Sequence, residues 1–331
     1  GAAQSLLAQI KGFLTYRSDS RIAGVLWNRL SPSLYPALHE RVEQEFGIRS
    51  LGYLPKLEAV TLESRHLGLI TAEEVLQLQT KLDLLADQAE CTIDLDGIQS
   101  LAERAEPLQE EPYTPPYRGD FCRPRIAVAR DRAFCFYYAD SLRLLEHLGA
   151  ELCYFSPLVD STLPAGCNGV LLGGGYPELY GEDLEKNHSI RENLYTSIQK
   201  GMPCIAECGG FLYLHRTLED SYGTPRRMVG TILADGIRTE KLQRFGYATL
   251  TAQRDNLLCR AGEKLPVHEF HYWTSTDNGD GCLAEKASTG KTWPCIHASE
   301  SLFAGFPHFH FASNPRWAQH FLEKCAQFEG V

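Results

Sequence analysis

Apolar and polar residues along this chain run through two separate cycles of strand and helix spacing. Arg21 to Trp27 (RIAGVLW) is a β-branched apolar run ending at Asn28, Leu34 to Phe46 has helical spacing, and Ser50 to Tyr53 reads as the next short strand. A helix is predicted ahead of this β-α-β unit, from Ser5 to Phe13. Thr71, with Glu74 three residues on, predicts the capped start of another helix that continues to about Ala89. From Glu106 to Pro124 the period vanishes, and five prolines among several acids suit an extended linker. The second cycle follows: strand Arg125 to Ala129, helix Asp140 to Leu148, strands Leu152 to Phe155 and Gly169 to Leu172, helix Leu184 to Lys200, and strand Pro203 to Ala206. Short strands separated by helices predict a parallel α/β sheet that takes ligands at the carboxyl ends of its strands. The pattern divides the chain into residues 1–105, a linker at 106–124 and a second domain at 125–331.

With 331 residues and 44% hydrophobic content, two cores are affordable. There is no apolar run of the length a membrane span needs and no signal-peptide order at the start, so a cytoplasmic protein without membrane contact is expected. A net charge of −10 disfavours nucleic-acid partners and points to small molecules. Eleven cysteines without a C-x-x-C pair read as mostly free, buried thiols, with no metal site expected.

One cysteine stands apart. In PCIAECGGFLYL, Cys208 follows an apolar strand directly and precedes two glycines that open an apolar helix, the punctuation of a nucleophile elbow. Small neighbours, Ala206, Gly209 and Gly210, suit its strained backbone, and a helix N-terminus favours a thiolate. Cys135 and Cys204 lack this punctuation and read as core. An oxyanion pocket is expected from Gly209 together with Gly174 and Gly175 of LLGGGYPE, where bare backbone ends a neighbouring strand. For the base, His308 and His310 (FPHFHFAS) and His268 and His271 (PVHEFHYW) lie in alternating segments that suggest strands, and periodicity does not choose among them.

Taken together, GGGYPELY, AECGGFLYL, HEFHY and HFHFAS closely resemble the cobyrinic acid a,c-diamide synthases, glutamine amidotransferases that amidate two acetate side chains of a corrinoid precursor. GVLWNRL, GYLP and ESRHLGLIT resemble the closing part of that family's P-loop ATP-binding domain, which is similar to dethiobiotin synthetase. The resemblance implies a flavodoxin-like class I glutamine amidotransferase domain at 125–331 preceded by the C-terminal part of the ATP domain. It implies Cys208 as nucleophile and His308 as base with His310 as the alternative. No acid follows two positions after His308, so the third member of a triad is unassigned. Asn28 and Arg29 are placed near adenine, and Arg65 and His66 near an acidic substrate.

The implied reaction takes glutamine, ATP and Mg²⁺ and a corrinoid carboxylate, and leaves room for a homodimer. No G-x-x-x-x-G-K-S/T occurs in the chain, and the resemblance implies that the family's P-loop lies upstream of residue 1. The alternatives are a related tetrapyrrole amidating enzyme (nickel-sirohydrochlorin a,c-diamide synthase or cobyric acid synthase) or a non-catalytic binding module of the same fold.

Overall fold

A computed structural model describes residues 2–62, 64–65, 68–69, 72–107 and 123–329, in two compact units, 1–113 and 114–331. In the first unit, strands Gly24–Asn28 and Arg49–Leu54 pair in parallel around helix Tyr35–Phe46. That helix starts with a proline in its first turn and stops where Gly47, at φ 68°, turns its amide to the Glu43 carbonyl. Leu38 and Val42, one turn apart, bury against Leu7 and Trp27. The helix expected from Thr71 differs: Thr71 lies outside the described residues, Ala72–Glu74 is a short 3₁₀ turn, and the helix runs from Leu78 to Thr92. His66 and most of the expected linker, residues 108–122, also lie outside the described residues.

The second unit is built on a six-stranded sheet in the order His297–Ala298, Leu302–Gly305, Cys204–Glu207, Gly169–Leu172, Arg125–Ala129, Glu151–Phe155. All pairings are parallel except the first. Alternation along Arg125–Ala129 sends Ile126 and Val128 to one core and Ala127 and Ala129 to another, so apolar layers cover both faces. Helices Ala139–His147 and Pro315–Gln327 fill the first with Leu145, Trp317 and Phe321; helix His188–Gln199 fills the second with Ile190 and Leu194. The single helix expected from Leu184 to Lys200 is two, broken at Asn187, whose side-chain amide donates instead to the carbonyls of Pro157 and Asp160 at 2.9 Å each.

A five-stranded antiparallel sheet, in the order Thr292–Cys295, Cys282–Lys286, Arg244–Ala252, Lys264–His271, His308–Phe309, carries both histidine-aromatic segments. The chain leaves the parallel sheet at Gly305 and joins this one at His308, which brings His308 to the carboxyl ends of the parallel strands. Among the described residues no helix is long and apolar enough to cross a membrane.

Candidate active site

Strand Cys204–Glu207 ends at Cys208, whose φ of 48° and ψ of −100° lie where non-glycine residues are strained, by roughly 1–3 kcal/mol. Helix Gly209–Tyr213 starts immediately after it. Hydrogen bonds hold the turn: the Cys208 amide donates to Gly305 O at 2.8 Å, and the Gly210 amide to Gly173 O at 3.0 Å. The glycines are required by close approach. A Cβ on Gly210 would stand 2.2 Å from Leu172 O, and one on Gly209 2.9 Å from Gly175 N.

The glycine turn is therefore packed against the elbow. Gly174–Gly175 pair with Phe134–Phe136, and Tyr137 braces the turn by accepting from the Gly173 amide at 2.9 Å while donating to Ala129 O. Burial raises the Tyr137 phenol well above its ordinary value, so it stays protonated. The Gly209 amide engages no hydrogen-bond partner among the described residues, as a donor reserved for a ligand oxygen would. A Cβ on Gly174 would lie 2.7 Å from Cε1 of His308. Gly174 thus packs against the His308 ring, and Gly209 against Gly175.

His308 lies opposite His268 across two antiparallel strands, with Nδ1 3.3 Å from Glu207 Oε2 and a hydrogen bond to Cys208. Burial alone would lower its pKa, but the hydrogen bonds and negative charge of Cys208 and Glu207 outweigh that and push it up to about 10. These neighbours favour the imidazolium form of His308. Glu207, the residue that sequence reasoning missed, completes the group. Its signal was the single acid closing the apolar strand CIAE, and only the reversal of the chain at the elbow turns it towards the histidine.

The other histidines fall elsewhere. The strand ends at Phe309, so the alternation that would carry His310 to the same face stops. Its Nε2 lies 3.0 Å from Asp140 Oδ2, its Nδ1 accepts from the Ala312 amide, and its ring rests on Tyr138. His268 shares the His308 face, its pKa lowered by burial and then by the charge of His308. His271 is on the opposite face, stacked on Phe306 at 3.8 Å. Asn28 and Arg29 sit in the first unit, exposed at a strand end where Arg29 adopts φ 56°.

Residues 125–316 match the CobB/CobQ-like glutamine amidotransferase domain. The chain is 34% identical over 330 residues to a cobyrinate a,c-diamide synthase of Caldanaerobacter subterraneus subsp. tengcongensis, covering 98% of this chain and 72% of that one. It is 35% identical to one of Dehalococcoides mccartyi, covering 98% and 72%. With one of Salmonella typhimurium the identity is 38%, and the coverage 96% and 70%.

Proposed function

The chain belongs to the cobyrinate a,c-diamide synthase family, and from that premise we propose that Cys208, His308 and Glu207 hydrolyse glutamine to supply ammonia for amidating the a and c carboxylates of cobyrinate. The observation that carries this reading is the convergence of a strained cysteine, a histidine and a carboxylate at one strand end.

Glu207 holds Nδ1 of His308, which leaves Nε2 for the thiol. The proton of Cys208 passes to His308, and the thiolate attacks the side-chain amide carbon of glutamine. The oxyanion that forms is met by the Gly209 amide and the backbone of Gly174 and Gly175. The imidazolium returns its proton to the departing nitrogen, so ammonia leaves and a γ-glutamyl thioester remains. His308 then draws a proton from water as it attacks, which releases glutamate and restores the thiol.

Amidating a carboxylate also requires its oxygen to leave, and ATP with Mg²⁺ supplies that by phosphorylation in the reaction proposed. Among the described residues of the first unit neither strand of the parallel pair runs through a glycine-rich turn into a helix: one ends at Asn28–Arg29, the other before Pro55–Lys56. These residues do not fit a phosphate cradle, so no step is assigned to them, and Asn28 and Arg29 are proposed only as neighbours of the base.

That the relatives are cobyrinate a,c-diamide synthases favours cobyrinate over another tetrapyrrole, and the assembled Cys–His–Glu group weighs against a non-catalytic module. Replacing Cys208→Ser tests the reading. Release of ammonia from glutamine should be lost; glutamine turnover near the wild-type rate would overturn it.

A further inference from the structure

On the antiparallel sheet, apart from Cys208 and His308, lies a second cavity of about 300 Å³, walled by Arg244, Tyr247, Glu269, Lys286, Lys291 and Trp293. Its chemistry is unlike that of a packing defect. Glu269 is 3% exposed, yet its Oε2 has no hydrogen-bond partner, and Nε2 of buried His271, 3.7 Å away, has none either. His271 Nδ1 lies 2.6 Å from the Trp273 carbonyl, which can only accept, so Nδ1 carries a proton. The buried Glu269 oxygen therefore lacks a donor within hydrogen-bond distance, an arrangement that costs free energy until one enters.

The rest of the wall is cationic. Arg244 stacks on Trp293, with CZ 4.1 Å from the ring centroid, and brings Nε no closer than 3.5 Å to Glu269 Oε2, too loose to satisfy it. Lys286 Nζ donates to the Phe245 carbonyl at 3.0 Å and has donors to spare, while the Lys291 ammonium has no partner among the described residues. Three cations and one buried carboxylate complement a small molecule with two carboxylates and one ammonium.

We propose that this cavity binds a free acidic α-amino acid of the L-glutamate class, with its ammonium on Glu269 and its carboxylates on Arg244, Lys286 and Lys291. L-Glutamine, one negative charge poorer, fits the cationic wall less well, so the site distinguishes the product of the proposed hydrolysis from its substrate. The cavity is far too small for a tetrapyrrole.

The test is calorimetric titration of L-glutamate into protein whose Cys208 has been alkylated by a glutamine analogue bearing a diazoketone, which fills the hydrolytic pocket. A saturable site is expected. Glutarate, which lacks the ammonium, should bind at least about tenfold more weakly, the loss expected when a charged hydrogen bond is removed. Glu269→Gln should weaken glutamate by a similar factor. The exposed Lys291→Gln should weaken both ligands and leave glutaminase turnover without added glutamate unchanged. If Glu269→Gln does not fold, Lys291→Gln and glutarate decide. No binding to the alkylated protein, glutarate as tight as glutamate, or Lys291→Gln without effect would each overturn the proposal. Should Cys208 resist alkylation, that failure belongs to the hydrolytic reading, and the same titrations on unmodified protein still test the second site.

Discussion

Glu207 holds its carboxylate 3.3 Å from Nδ1 of His308, although the residue that follows it, Cys208, hydrogen-bonds the same imidazole. Two consecutive side chains reach one ring because the positive φ of Cys208 reverses the chain between them. Acid and nucleophile thus come from one turn and the base from another sheet.

Glu207→Gln keeps the size of the side chain and removes its charge. Glutaminase kcat should fall by a factor on the order of 10² with KM for glutamine nearly unchanged, as for a residue that acts through the base. The His308 ring, followed by NMR, should titrate at lower pH than in the wild-type protein, because one of the two groups that raise its pKa has lost its charge. Unchanged turnover together with an unchanged titration would remove Glu207 from the group.

His308→Ala should lower glutamine turnover by on the order of 10² or more, and His310→Ala should not. His310 accepts from the Ala312 amide as the cap of a short turn, so its loss should instead cost stability of about 1 kcal/mol, read by denaturant titration. The reverse ranking in steady-state kinetics would move the base to His310.

The parts of the site legible in the sequence were those set by local backbone demands. Gly209 and Gly210 stand where a Cβ would meet neighbouring backbone, and such constraints leave glycines beside the cysteine. Periodicity did not separate His308 from His310, and only the resemblance put His308 first; in the structure they part where the strand ends at Phe309, a boundary set by pairing with Lys264–His271 rather than by local propensity. Glu207 was hidden for a related reason: its partner is distant in sequence, and no spacing rule links them. In the fold, the strand-helix cycle showed the parallel sheet, whereas the break at Asn187 depends on carbonyls contributed by a remote loop.

His215, below the elbow helix, carries a pH dependence of its own. Burial lowers its pKa from 6.5 to about 4 against the opposing hydrogen bond to the Phe211 carbonyl. Above pH 6.5 the ring is neutral in both folded and unfolded chains, and its contribution to stability is fully present. As pH falls from 6.5 towards 4 the unfolded chain takes up a proton that the fold resists, and stability drops by about 3 kcal/mol. Urea titrations of wild type and His215→Gln across this window should show a shallower acid slope in the variant; equal slopes would count against this account.

In the proposed hydrolysis the Cys208 sulfur takes the γ-glutamyl group. Acid quenching during glutamine turnover, followed by peptide mapping by mass spectrometry, tests it most directly. A thioester adduct on the peptide containing Cys208, absent from Cys208→Ser, is the predicted result. An adduct on Cys204 or another cysteine, or turnover in which no covalent adduct forms on the chain, would contradict it.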